Sequence, residues 1–274
     1  MPRILLMAAL LMLSNAPHAD DRSLHDELAR IAGERIYFAH QSVGGNILEG
    51  LQELSAAAGV PVRIMEAPSA SKLGGPGVGH IFVAENGDPL LKLRNFKSAL
   101  GAGSHADLAL IKFCYVDIDA ATDPRALFEQ YRKTIDELRA ANPRTTLVHV
   151  TLPLTTVQTG PKAWIKRALG RAPNGTVGNV KREEYNTLLR RAYSGREPIF
   201  DLARVESIDA DGTQAKVDWN GAVAPAMVPA YTDDGGHLNR SGRLRAAREL
   251  VRVLAAARAP LQKFEDSATP VRMP

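Results

Sequence analysis

Ile36-Tyr37-Phe38-Ala39-His40-Gln41-Ser42-Val43-Gly44-Gly45-Asn46 is the stretch that decides the fold. Ile36 to Ala39 is an apolar run and reads as a buried strand. A serine and two glycines follow, and then Ile47, Leu48, Leu51 and Leu54 recur at the spacing of one helical face. The pattern is a strand, a tight turn carrying a hydroxyl, and a helix whose N-terminus points back at that hydroxyl. A helix N-terminus offers free backbone N–H groups and a partial positive charge. An anion forming at Ser42 would be stabilised there. The same stretch also fits an ordinary βα turn with an N-cap serine, so by itself it speaks for an architecture and not for a reaction.

Working outward, apolar segments at residues 62–66, 107–115, 146–152 and 198–202 read as four further strands. Residues 107–115 are apolar on both sides, as a strand inside a parallel sheet must be. Helical periodicity covers residues 23–32 and 42–58. It returns after Asp88-Pro89, a plausible cap and first helical residue. Leu127, Phe128, Tyr131, Ile135 and Leu138 mark another helix, stopped by Asn142-Pro143; later ones centre on Leu188 and Leu250. Five strands alternating with helices predict an α/β fold, a doubly wound parallel five-stranded sheet with helices on both faces. The glycine-rich residues 68–88 read as a long loop, residues 159–180 as a flap or irregular insertion, and residues 210–231 as an irregular excursion, a hairpin among the options. In such sheets ligands bind beyond the C-terminal strand ends. Ser42, residues 114–117 and Pro153 all fall there.

A chain of 274 residues with 45% hydrophobic content suits one sizeable domain, here residues 20–260. Aromatics at 5% argue against a base-stacking surface, so nucleic acid is not an expected partner. The net charge of +4 is a mild bias toward anionic partners, with cations somewhat concentrated between Lys162 and Arg191. Residues 1–19 read as a secretory signal: Arg3, an apolar run from Ile4 to Leu13, then small residues. That run is too short to span a bilayer, so no membrane span is expected after cleavage. Cys114 is the single cysteine, which excludes an intrachain disulfide. A periplasmic or secreted protein is expected. Residues 261–274 read as a loose tail.

The second chemical stretch is Asp233-Asp234-Gly235-Gly236-His237-Leu238-Asn239, just before the last helix. Three residues in a glycine-containing turn let the Asp234 carboxylate reach the imidazole N–H of His237, fixing its tautomer and stabilising its charged form. The competing reading is a capping turn, with Asn239 or Ser241 capping the helix and His237 merely exposed.

With a serine after the first strand and an Asp-x-x-His element before the C-terminal helix, the chain resembles the SGNH (GDSL-type) hydrolases over roughly residues 35–257. Asn86-Gly87-Asp88-Pro89 is similar to the block that carries that family's oxyanion glycine, and residues 107–117 to the strand leading to its oxyanion asparagine. Pro198-Ile199-Phe200-Asp201-Leu202 resembles its fifth strand. The resemblance implies a flavodoxin-like sheet and a Ser42-His237-Asp234 triad that needs no cofactor. The N–H groups of Ser42 and Gly87 would then face the oxyanion. Two departures matter. Gly-Asp-Ser becomes His40-Gln41-Ser42, and the asparagine position of the Gly-x-Asn-Asp block holds Val116. Removing one oxyanion donor typically costs about a hundred- to thousandfold in rate. Asn46 or Asn86 could supply a substitute amide.

The resemblance and the export signal together imply an exported serine esterase. Its substrate would be a small-molecule or polysaccharide acyl ester, on a carbohydrate or cell-envelope polymer. Two alternatives use the same residues: a carbohydrate O-acyltransferase, and a non-catalytic binding module on the same fold. His40, two residues before Ser42, is expected to hold the loop or line the pocket. Lys112 is expected to pair with Asp117 or Asp119, or to reach solvent at the strand end. His40, His237 and Asp234 lack the spacing of a metal site, so no metal is expected.

Overall fold

The structure, a computed structural model, describes residues 19–258. Residues 1–18 of the expected secretory segment and the expected tail at residues 261–274 lie outside the described residues. Six parallel strands make the central sheet: β1 (Arg35–His40), β2 (Ile64–Glu66), β3 (Gly77–Phe82), β4 (Leu108–Ile111), β5 (Thr146–Val150) and β6 (Ile199–Phe200). Their spatial order is β2-β3-β1-β4-β5-β6. The doubly wound expectation holds, with six strands in place of five. The addition is β3, inside the stretch read as a loop. Its glycines are a packing requirement. A Cβ at Gly77 would lie 2.6 Å from the Arg63 carbonyl oxygen, and one at Gly79 2.1 Å from Leu73 Cδ2. Only glycine lets this strand pass so close beneath its neighbours.

Eight helices surround the sheet among the described residues: α1 (Ala19–Ala32), α2 (Ser42–Ala58), α3 (Pro89–Leu100), α4 (Pro124–Ala141), α5 (Gly160–Ala168), α6 (Thr176–Tyr193), α7 (Leu202–Ser207) and α8 (Arg240–Ala257). An antiparallel hairpin, β7 (Lys216–Trp219) and β8 (Ala222–Pro225), fills the excursion before α8. None of these helices is long and apolar enough to cross a membrane. Side chains alternate across the strands. Ile36 and Phe38 of β1 enter a core shared with α1, α2, α7 and α8. Tyr37 and Ala39 enter a second core with α3, α4 and α6.

Two features of this architecture position the site. The chain runs from β1 to β2 and β3 on one side, then crosses to β4 on the other. The strand order therefore reverses between β1 and β4, which opens a crevice at their C-terminal ends. The second feature is the seam between α2 and α8. A Cβ at Gly50 would sit 2.5 Å from the Arg243 carbonyl oxygen and 3.0 Å from the Ala247 Cβ. The backbone of α2 lies against the backbone of α8 there. Salt bridges from Arg240 to Glu53, and from Arg243 to Glu49 and Glu53, line the seam.

Several polar groups are buried within these layers. His149 is bonded at Nδ1 to the Tyr131 hydroxyl (2.8 Å) and at Nε2 to Glu197 (3.2 Å), and it stacks on Tyr193. Burial pushes it down to about 4. His40 is also fully buried, and burial pushes it down to about 3. Lys112 is fully buried rather than reaching solvent, and its amine donates to the Phe113 carbonyl oxygen at 3.0 Å. Burial lowers Lys112 to about 8 and raises Glu206, on α7, to about 8.

The two depressed histidines set an acid limit on stability. In the unfolded chain each titrates near its ordinary value of about 6.5. Below that value the unfolded state takes up protons the native state refuses. Stability is therefore complete above about 6.5 and lost as pH falls toward the folded values. Between pH 6.5 and 5 each contributes a loss of about 2 kcal/mol. Urea denaturation at pH 7.5 and pH 5 measures this loss, and His149→Gln should reduce it; an equal loss in that variant would remove His149 as a cause.

Candidate active site

Ser42 is the first residue of α2, directly after Gln41 at the strand end. Gln41 is extended, and its carbonyl oxygen accepts from the N–H groups of Gly44 and Gly45. Its side-chain amide donates to the carbonyl oxygens of Val83 and Ala84, tying the turn to the end of β3. Beneath the turn lies the ring of His40. Its Nε2 is 3.1 Å from His80 Nδ1 and its Nδ1 2.9 Å from the Gln41 carbonyl oxygen. A Cβ at Gly44 would fall 2.4 Å from His40 Cγ. Gly44 therefore permits the first turn of α2 to close over this ring. His40 braces the Ser42 turn from below. His80 belongs to β3 and completes the brace.

The Asp234–His237 turn meets Ser42 from the other side. His237 Nε2 is 2.9 Å from Ser42 Oγ, and His237 Nδ1 is 2.6 Å from Asp234 Oδ2. Asp234 Oδ1 accepts from the N–H groups of Gly236 (2.9 Å) and His237 (2.8 Å) and from the Thr232 hydroxyl (3.2 Å). The His237 side chain and these amides hold the Asp234 carboxyl well below the usual carboxylate range. One of its oxygens is reserved for the imidazole. The cap of α8 is Asn239, whose side chain accepts from the Gly242 N–H at 3.1 Å. The turn thus both caps the helix and presents the histidine. Asn46, one turn into α2, accepts from the Leu238 N–H at 3.3 Å. That bond stitches the histidine turn to the serine helix.

The third wall is the turn at residues 115–117, after β4. Tyr115 lies edge-on to the His237 ring, with centroids 5.7 Å apart. A Cβ at Gly236 would collide with the Tyr115 ring at 2.6 Å. Arg182 Nε donates to the Tyr115 carbonyl oxygen at 3.0 Å, and its Nη1 donates to Thr155 Oγ1 at 3.2 Å. Residues 114–117 were expected at this end of the sheet, but no role was assigned to Tyr115, and Arg182 was not expected at the site. Arg182 carries no local mark, because its part comes from β4 and α6 meeting at the crevice.

Asp117 is fully buried and paired with the equally buried Lys92, at 2.7 Å. Its carboxylate also accepts from the N–H groups of Cys114 (2.6 Å) and Gly87 (2.8 Å). This corrects the expected pairing of Lys112 with Asp117 or Asp119; Lys92 is the partner. It also bears on the oxyanion donors. The Gly87 N–H is committed to Asp117, and Val116, beside it, presents a half-exposed apolar side chain. Asn86 Oδ1 accepts from Lys92 Nζ at 2.9 Å, which leaves its amide N–H groups as donors on that wall. Of the N–H groups opening α2, those of Gly44 and Gly45 are taken by the Gln41 carbonyl oxygen, and those of Ser42 and Val43 have no acceptor within their own helix. Among the described residues no three His, Cys, Asp or Glu side chains gather as metal ligands.

No family model matches the chain, and no curated protein matches it. Solved structures do match. A candidate platelet activating factor from Streptococcus pneumonia aligns with a TM-score of 0.50 at 14% identity, over 86% of this chain and 92% of that one. A candidate lipolytic protein of the G-D-S-L family from Desulfitobacterium hafniense DCB-2 aligns with a TM-score of 0.46 at 12% identity, over 80% and 99%. TesA gives 0.47 at 11%, over 81% and 98%. At such identities the likeness is one of fold.

The Lys92–Asp117 pair yields a stability test. Lys92→Met leaves a buried carboxylate without its cation and should cost about 3–5 kcal/mol. Adding Asp117→Asn removes the stranded charge and should restore part of that loss. Urea midpoints of the single and double variants decide it: equal destabilisation would mean the pair is not what holds these loops.

Proposed function

We propose that this chain, whose fold is that of the SGNH (GDSL-type) hydrolases, is a serine esterase. The observation that carries the reading is the unbroken relay from Ser42 Oγ through His237 to Asp234, set at the crevice where the strand order reverses. His237 Nε2 is in reach of the Ser42 proton and takes it as Ser42 Oγ attacks the ester carbonyl. Asp234 holds the Nδ1–H and offsets the charge that forms on the ring. The protonated imidazole then gives its proton to the leaving alcohol. Water, deprotonated by the same nitrogen, releases the acid from the acyl-enzyme. Donors for the oxyanion are the N–H groups at the start of α2, with the amide of Asn86 or Asn46 in the place of the absent asparagine.

The substrate we propose is an acyl ester displayed on a large molecule outside the cytoplasm, a carbohydrate or envelope polymer. The site supports this by being open. Asp234 is 56% exposed and His237 40%, so a bulky alcohol can approach while only the acyl group enters the crevice.

A second reading rests on Asp117 and Val116. A site with one donor committed elsewhere and another replaced could bind without turning over, as a module on the same fold. A fluorophosphonate probe separates the two. Rapid labelling of the wild type that disappears in Ser42→Ala supports the esterase; no labelling of either supports the module. Asp234→Asn should fold and lose about three to four orders of magnitude in turnover on an activated ester. A folded variant with wild-type turnover would remove Asp234 from the mechanism.

A further inference from the structure

The excursion after β5 carries a feature the reaction does not use. Residues 159–182 contain six cations and no carboxylate, in a chain that holds 30 carboxylates. Its helix, α5, has the sequence Gly160-Pro161-Lys162-Ala163-Trp164-Ile165-Lys166-Arg167-Ala168, followed by Leu169. Trp164 is 71% exposed, Ile165 50% and Leu169 67%. With about 100° between successive residues, Trp164, Ala168, Ile165 and Leu169 share one arc of roughly 140°. Ala163, the buried residue of this helix, lies on the opposite side. The apolar arc is therefore turned directly away from the protein. Lys162 borders it on one side and Arg167 on the other, both exposed, and the exposed Arg171 follows just beyond the helix.

The helix is firmly mounted. Lys166 Nζ donates to Asn174 Oδ1 at 2.8 Å, and the Gln158 N–H donates to the Asn174 carbonyl oxygen at 3.0 Å. At the base of the excursion the Thr156 N–H donates to the Gly235 carbonyl oxygen at 2.9 Å, within the turn that carries Asp234 and His237. An outward apolar face with a tryptophan and a cationic border is the pattern of a helix that lies in a membrane interface. A second copy of this chain fits poorly as occupant, because a symmetric contact would bring the same cations face to face.

We propose that α5 is a peripheral docking helix for an anionic phospholipid bilayer. Trp164, Ile165 and Leu169 enter the interface, while Lys162, Arg167 and Arg171 meet the headgroups. The mount on the histidine turn then sets the crevice at a fixed attitude to the lipid surface.

The test is flotation with vesicles of phosphatidylcholine, with and without phosphatidylglycerol. Ser42→Ala/Trp219→Phe protein makes the result independent of catalysis and leaves Trp164 as the sole tryptophan. Expected is partition onto the anionic vesicles with a blue shift of Trp164 emission, weakening as salt rises. Each of Lys162→Gln, Arg167→Gln and Arg171→Gln should weaken it roughly fivefold. Ile165→Ser/Leu169→Ser should abolish the blue shift. These are exposed sites, so the fold should survive, and circular dichroism checks that. No partition at low salt, or partition unaffected by both sets of substitutions, would overturn the proposal. So would a concentration-dependent dimer that Ile165→Ser/Leu169→Ser abolishes, since the face would then belong to a second copy.

Discussion

The close approach of α2 to α8 is the constraint from which the site follows. Ser42 begins one of these helices and His237 immediately precedes the other, so the hydroxyl-to-imidazole distance is set by how the two helices cross. Gly50 makes the approach possible, since any side chain there would meet the Arg243 backbone. The apolar contacts of Ile47, Leu51, Leu250 and Leu254 hold it, and the bond from the Leu238 N–H to Asn46 fixes its end nearest the chemistry. Protein interiors are packed as densely as organic crystals, so a rigid seam of this kind transmits sub-ångström geometry to its ends.

Asp117 is the complementary constraint on the opposite wall. One buried carboxylate gathers Lys92 of α3, the backbone before α3 and the backbone after β4. Its cost in desolvation is offset by three donors making four hydrogen bonds, and they tie the backbone of this wall to one anion. The same economy explains why the Gly87 amide is turned inward. A donor that fixes a loop cannot also face a substrate oxygen, so in the proposed reaction charge stabilisation falls to the start of α2 and the asparagine amides.

The parts of this arrangement legible from sequence are those written in local pattern. The strand–serine–helix turn and the Asp-x-x-His turn are contiguous segments, and each states its own geometry. The caps at Asp88 and Asn239 were visible for the same reason. The strand β3 was not, because glycine demanded by packing is indistinguishable in sequence from glycine demanded by a turn. Lys112 and Lys92 show the limit most clearly. Lys112 stands in an apolar stretch and Lys92 in an amphipathic helix, and only the meeting of α3 with the residue 115–117 turn selects Lys92 as partner of Asp117. Tyr115 and Arg182 meet across 67 positions, and no motif in the sequence links this pair as one links Ser42 to the Asp234–His237 turn.

Ser42 and His237 are 195 positions apart. A polypeptide made from its N-terminus therefore displays its serine long before its histidine exists. Until α8 is present, α2 also lacks the surface against which most of its apolar face is buried. On the proposed esterase reading, nascent and C-terminally truncated chains are consequently inert, because Ser42 and His237 are never in one place. Reactivity under that proposal arises only with the last helix, at the moment the fold closes. A chain built this way would need no separate inhibitor to stay silent while it is being made.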